Sequence, residues 1–294
     1  MNLYLFSSHD GAVTYGVRTY LKELTNALEG ADIKICIVYL HTARLEFSIE
    51  KIQEVEHLYI PEACNQSTFS GSVQKLEDYC RNVAYFLRLH IKDTKDLVFH
   101  FNFNHYQFLA KELKKYFDCK TVATVHYLKW IFEFEGNLHK IRELKSKPAN
   151  QRKSFEEVCF TTDEYENLLY KEVDRVIALS QDMKNYLCTE NRIDPNKIIV
   201  IPNGLSDTNR VEKTGKHELR KKWRIAPKEL LILFAGRLHK VKGLLFLIRA
   251  FHKVLAKKPN CRLIIAGSGQ FKAYLQEAKD VCTKVTFTGL LERK

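Results

Sequence analysis

Leu230-Leu231-Ile232-Leu233-Phe234-Ala235-Gly236-Arg237 is the stretch on which the fold turns. Six apolar residues run without alternation into a glycine and a cation. After Leu238-His239-Lys240-Val241 come Lys242-Gly243 and a segment of helical spacing, Leu244-Leu247-Ile248-Phe251-Leu255. A continuous apolar run of strand length reads as a parallel strand covered on both faces. The pattern recurs outward from it, at Leu3–Phe6, Ile33–Tyr39, Leu97–Phe101, Thr121–Val125, Arg175–Leu179, Ile198–Ile201, Leu263–Ala266 and Val285–Phe287. Helical spacing fills the intervals, as in Val17-Tyr20-Leu21-Leu24-Leu28. Strand–helix alternation from end to end predicts an α/β fold of doubly wound parallel sheets.

Pro202-Asn203-Gly204 and the polar stretch to Lys216 interrupt this alternation. Proline cannot continue a central strand and Asn-Gly favours a turn of positive φ, which places a boundary between domains at 1–204 and 205–294. Charge changes at the same point. Lys and Arg number 47 against 35 Asp and Glu, a net of +12, and residues 204–294 carry 21 against 7. A basic second domain suits nucleic acid, anionic headgroups or a phosphorylated small ligand, and equally a solvated face. A nucleic-acid binder would interleave its cations with exposed aromatics, whereas these cluster at strand ends and on helix faces. A second polar stretch, Gly136 to Lys153, reads as a long mobile loop. The eight Cys form no C-x-x-C pair, which points away from a zinc ribbon or disulfide scaffold and towards a reducing cytoplasm. No apolar run approaches the roughly 18 residues of a membrane span, and Met1-Asn2-Leu3 lacks the basic start of a signal peptide.

Two doubly wound domains place a ligand crevice at the carboxyl ends of their strands. At the first strand, Ser7-Ser8-His9-Asp10-Gly11 leads to Tyr15-Gly16-Val17, and Gly16 at a helix start exposes backbone N–H groups at the positive end of the helix dipole. Close strand–helix packing explains such a glycine equally well. At Gly236-Arg237 the guanidinium fork suits phosphate oxygens, and Lys242 adds a charge at the mouth of the next helix. The alternative there is an exposed basic turn. Gly267-Ser268-Gly269 and Gly289-Leu290-Leu291 end two more strands, as ligand approaches or as tight turns. His126 ends the Thr121–Val125 strand, where an imidazole is either a site group or a structural one. Neither a Walker A loop nor a G-x-G-x-x-G fingerprint is present, and no Asp-x-Asp occurs.

In order along the chain stand Tyr15-Gly16-Val17, Thr124-Val125-His126, Val176-Ile177-Ala178-Leu179-Ser180 and Val200-Ile201-Pro202-Asn203-Gly204. Phe234-Ala235-Gly236-Arg237-Leu238, Lys242-Gly243, Ile264-Ile265-Ala266-Gly267-Ser268-Gly269 and Val285-Thr286-Phe287-Thr288-Gly289 follow. This series resembles glycosyltransferase family four, retaining nucleotide-sugar transferases of the GT-B fold, in which two Rossmann-like domains face a cleft. The resemblance implies a nucleoside-diphosphate sugar held mainly by the second domain and a glycan or glycolipid acceptor held mainly by the first, without metal or other cofactor. It assigns Arg237 and Lys242 to the diphosphate, with Gly16 approaching the same phosphates, His126 near the transferred sugar, Gly267 in the nucleotide-sugar site, and the turn Gly289–Leu291 at the base. Catalysis would rest on His126, Arg237 and Lys242. A lipid-linked acceptor would add peripheral association at the inner face of a membrane; nucleic acid is not an expected partner.

One departure accompanies the resemblance. The family carries two glutamates, on a loop and helix beyond the strand that matches Val285–Gly289, and the sequence stops at Lys294. The pairs of matching spacing, such as Glu135/Glu143 and Glu156/Glu164, lie in the first domain and read as coincidences. The expectation is a GT-B transferase with an incomplete second domain and weak or no activity. The alternatives are a sugar-nucleotide epimerase of the same architecture and a catalytically silent nucleotide-sugar-binding subunit.

Overall fold

The computed structural model describes residues 1–8, 16–62, 73–103, 106–205 and 215–291. The chain divides into two compact units, one of Met1–Trp130 with His139–Asp207 and one of Ile131–Leu138 with Thr208–Lys294.

The first unit carries strands β1 (Asn2–Ser8), β2 (Lys34–Thr42), β3 (Ser48–Ile52), β4 (Val55–Pro61), β5 (Leu97–Phe101), β6 (Cys119–Val125), β7 (Arg175–Ala178) and β8 (Ile198–Val200). They form one sheet in the order β3-β4-β2-β1-β5-β6-β7-β8. Its helices are α1 (Gly16–Ala27), α2 (Val73–His90), α3 (Gln107–Tyr116), the start of α4 (Lys129–Glu133), whose residues from Ile131 belong to the second unit, then α5 (Leu138–Ser146), α6 (Ser154–Glu172) and α7 (Gln181–Thr189). β1 shows why its apolar run does not alternate. Leu3 and Leu5 pack with Val17 and Leu21 of α1, while Tyr4 and Phe6, on the other face, meet the Phe99 ring edge-on at centroid distances of 5.6 and 5.7 Å. Both faces are therefore covered, and the five pairings from β2 through β1 to β8 are parallel.

Two features depart from the sequence reading. β3 pairs antiparallel with β4 as an edge hairpin that the search for apolar runs did not register. β3 (Ser48-Ile49-Glu50-Lys51-Ile52) is mostly polar and β4 carries only the short apolar run Leu58-Tyr59-Ile60, and the turn uses Gln53 and Glu54 at φ 47° and 65° where Asn-Gly is the usual signal. The expected loop from Gly136 to Lys153 is mostly helix instead. α5 buries Ile141 and Leu144, and it is tied down by Arg142–Glu190 at 2.7 Å and Lys145–Asp163 at 2.8 Å. Two apolar residues three apart suffice to seat a short helix on an existing body.

The second unit contains α8 (Lys216–Lys222), β9 (Leu230–Ala235), α9 (Leu244–Lys257), β10 (Cys261–Ala266), α10 (Lys272–Glu277) and β11 (Val285–Gly289). The strands are parallel in the order β11-β10-β9. Leu263 and Ile265 of β10, joined by Ile232, Phe234, Val285 and Phe287, pack against Leu244, Ile248 and Phe251 of α9 and Tyr274 of α10. The opposite face is bare: Leu231 is 37% and Leu233 66% exposed. Coverage on both faces, expected from the β9 run, does not hold among the described residues. The neighbouring strands place Arg262, Ile264, Thr286 and Thr288 on that face, so polar residues interrupt the apolar surface that β9 begins.

Candidate functional site

In the second unit the backbone brings three strand ends together. Gly236 N–H donates to the Ala266 carbonyl at 2.9 Å, Leu238 N–H to that of Ser268 at 2.8 Å, and Gly267 N–H to that of Gly289 at 2.8 Å. Gly236, Gly267 and Gly289 thus share one rim. At Gly267 (φ +146°) a Cβ would lie 1.9 Å from the Gly236 oxygen, and at Gly269 (φ +150°) 2.5 Å from the Leu238 oxygen. These two glycines are required by the approach of two backbones, and Gly267 has already given its N–H to Gly289. Gly289 (φ +72°) differs, since a Cβ there would enter open space. Leu291, just beyond it, is exposed.

Arg237 and Lys242 are both exposed on the loop that follows β9. That loop is pinned within its unit. The Phe132 ring meets His239 edge-on at 5.7 Å, Glu135 pairs with Lys240 at 3.0 Å, and His239 Nδ1 accepts from Val241 N–H at 3.3 Å. Gly243, at φ 71°, turns the chain into α9, whose first residues receive no side-chain cap. Lys242 therefore stands beside uncapped N–H groups that carry the positive end of the helix dipole. Elsewhere in the unit Trp223 is 68% exposed between Lys222 and Arg224. The separation of cations from aromatics expected from the sequence does not hold at that turn.

In the first unit, His126 directly follows β6 and belongs to a polar cluster at the strand ends. Its Nε2 lies 3.1 Å from Asn102 Oδ1, and the Tyr20 ring of α1 meets the imidazole edge-on at 4.7 Å. Beneath it, buried His100 places Nε2 2.7 Å from Thr124 Oγ1, and Tyr20 Oη lies 3.5 Å from the same hydroxyl. Burial lowers the His126 pKa to about 4; burial, and to a lesser degree His126 itself, lowers that of His100 to about 3. His100 and Asn102 were not singled out in the sequence, and Thr124 and Tyr20 stood there only within a quoted motif and a helical spacing, with no site role. The available signal was position, since Asn102 follows β5 as His126 follows β6. Gly16 opens α1, is exposed, and has open space where a Cβ would stand. His9, Asp10, Gly11 and Tyr15, named with it from the sequence, lie outside the described residues.

Among the described residues, no group of three or more His, Cys, Asp or Glu is placed to hold a metal ion. No helix among them is long and apolar enough to cross a membrane.

Residues 215–294 match the family model of glycosyl transferases group 1. An uncharacterized glycosyltransferase of Methanocaldococcus jannaschii is 29% identical over 160 residues, 53% of this chain and 38% of that protein. A second from the same organism is 35% identical over 127 residues, 40% and 31% of the two chains. The alignments thus span only about a third of these curated relatives. Among solved structures, sucrose-phosphate synthase from Thermosynechococcus elongatus superimposes with a TM-score of 0.69 at 18% identity, covering 99% of this chain and 71% of that one. That likeness concerns the fold, which is GT-B. Residues 14–209 match the model of Glycosyltransferase Family 4, two thirds of the chain, and the chain belongs to that family.

Proposed function

We propose that the protein transfers a sugar, a hexose by the resemblance above, from a nucleoside-diphosphate donor to a hydroxyl of a glycan, glycolipid or other glycoconjugate, with retention of configuration. The observation that carries this reading is the Gly236-Arg237 turn and Lys242 at the uncapped start of α9. A leaving diphosphate gathers negative charge as the glycosidic bond breaks. A guanidinium, an ammonium and a helix N-terminus supply fixed positive charge for it. The rim of Gly236, Gly267 and Gly289, with Leu291 beyond, gives a nucleotide a backbone surface to lie against. His126 and Gly16 are assigned to the same donor by the resemblance alone. Because cations of the protein take up the charge in this reading, transfer is expected to persist in excess EDTA. A lipid-linked acceptor would bring the protein to a membrane surface.

Calorimetric titration with UDP and with GDP tests the reading. We expect one of the two to bind, and Arg237→Ala and Lys242→Ala each to weaken it. Failure of both nucleotides to bind the unaltered protein would overturn the donor site. Binding without transfer or donor hydrolysis would leave a nucleotide-sugar-binding subunit.

A further inference from the structure

The imidazole of His126 is oriented by a neighbour whose own orientation the backbone dictates. Asn102 is 1% exposed, and its N–H donates to the Phe6 carbonyl at 3.0 Å, which extends the pairing of β1 with β5 by one residue. Its side-chain Nδ2 donates to the His100 carbonyl at 3.3 Å. A carbonyl can only accept, so the amide end directed at His100 is the NH2 group and the end directed at His126 is Oδ1. That oxygen, 3.1 Å from His126 Nε2, also only accepts. The hydrogen of the pair therefore sits on Nε2.

We propose that Asn102 is a positioning residue that holds His126 in its Nε2–H tautomer, so that Nδ1 meets a bound ligand as a hydrogen-bond acceptor and selects a hydroxyl over a phosphate or ring oxygen. A neutral imidazole has one N–H and one lone pair, and giving the N–H to Asn102 leaves only the lone pair. Phosphate and ether oxygens would bring a second lone pair to it, whereas a hydroxyl brings a proton. Burial supports this by keeping the ring uncharged at neutral pH. The edge of Tyr20 against the ring holds its plane, and Thr124, shared by Tyr20 and His100, ties the supporting groups to each other. His126 is then a reader of ligand hydroxyls, with no part as a cation in neutralising the diphosphate. Only the identification of that hydroxyl as the donor sugar's rests on the function proposed above.

The test is a long-range proton–nitrogen correlation spectrum of the full chain labelled with nitrogen-15 histidine, with His126 assigned by the signal lost in His126→Gln. At pH 7.5 we expect a protonated Nε2, a bare Nδ1, and no change down to pH 5.5. Asn102→Ala should replace the single form by a tautomer mixture, whereas Asn102→Asp, which keeps an accepting oxygen, should retain the Nε2–H form at pH 8. If Asn102→Ala does not fold, the unaltered protein and Asn102→Asp decide. A proton on Nδ1 in the unaltered protein at pH 7.5 overturns the proposal, as does an unchanged single tautomer in a folded Asn102→Ala. With UDP-glucose or GDP-mannose bound, the Nδ1 resonance should shift as an acceptor does; a bound donor that leaves it unmoved overturns the selection of a hydroxyl. Failure of both donors to bind counts against the transferase reading and leaves the tautomer, read on the free protein, standing.

Discussion

The two units present their polar groups in opposite ways. The first sets His100 and Asn102 beneath the surface, hydrogen-bonded, with both histidines neutral. The second sets Arg237 and Lys242 in the open and, among the described residues, buries aliphatic and aromatic side chains and a cysteine. Their sheets differ likewise, with β1 covered on both faces and β9 on one. A buried polar group acts through geometry and depends on the fold, while an exposed cation acts through charge and can be removed with the fold intact. Substitutions in the first unit should therefore alter stability and its dependence on pH. Those at the exposed positions of the second should alter affinity or association alone.

The largest effect expected breaks that division on purpose, at a buried position of the second unit. In Gly267→Ala the new methyl would stand 1.9 Å from the Gly236 oxygen. Gly236 is itself bonded to β10 through Ala266, so neither backbone can give way cheaply. We expect a loss above about 4 kcal/mol, enough to unfold the second unit. Gly289→Ala meets open space at φ +72° and should cost only about 1–2 kcal/mol of left-handed strain. Hydrogen exchange over β9–β11 measures both, and equal protection in the two variants would refute the packing account of Gly267.

Acidification should act on the first unit. The folded pKa values of His126 and His100, about 4 and about 3, lie below the ordinary value of 6.5. From pH 6.5 down to these values the unfolded chain holds protons that the folded chain does not. Stability therefore falls with falling pH, by roughly 1.4 kcal/mol per pH unit for each histidine, and is unaffected by them above about pH 7. Equilibrium unfolding from pH 7.5 to 5 should show this slope, and His100→Gln should reduce it. An unchanged slope would mean that His100 charges readily in the folded protein.

The sequence disclosed the parts of this molecule that are locally periodic. Leu97–Phe101 and Leu230–Ala235 were legible to the residue, because an apolar run of strand length marks a parallel strand, although β9 proves to be an edge strand with one face bare. The β3–β4 hairpin was not, because the edge strand Ser48–Ile52 is mostly polar and exposed and its turn lacks a glycine signal. α5 was obscured by charge, since four of its nine residues are Lys, Arg or Glu and only Ile141 and Leu144 are buried. Among the candidate site residues, Arg237 and Lys242 were proposed from a strand-end pattern. Asn102 could not, because its partner is twenty-four residues away and only the pairing of β5 with β6 brings them together. The same holds for Gly267, whose requirement for glycine comes from the backbone of Gly236 and not from its own turn.

At the exposed cations of the second unit, a smaller and purely functional effect is expected. Arg237→Ala or Lys242→Ala removes one charge-assisted contact to phosphate, roughly 1.5–3 kcal/mol, which is about ten- to a hundredfold in nucleotide affinity. Thermal unfolding should be unaltered in both, since surface substitutions of this kind stay within about 0.5 kcal/mol. Unchanged calorimetric affinity in both variants would remove the diphosphate from this loop. A matching fall in stability would instead show that these cations hold the fold, and the contrast between the units would fail.

The smallest change in stability is expected at Leu231 and Leu233, where the contrast between the two sheets is most exposed. In β1 both faces contribute to the core, but in β9 only Ile232 and Phe234 reach it. Replacing Leu231 and Leu233 on the bare face by threonine puts a β-branched residue in a strand and removes no contact from the core cluster. The folding free energy should therefore move by less than about 0.5 kcal/mol for each. Their effect on association should be larger. Two adjacent exposed leucines on the last strand of a sheet offer both apolar area and unpaired backbone groups to another copy. Sedimentation of the unaltered chain should show association that rises with concentration and weakens in Leu231→Thr/Leu233→Thr. Equal association by both proteins would place the sticky surface elsewhere. A large loss of stability in the variant would show that the face is covered in solution, and that the second sheet is built like the first.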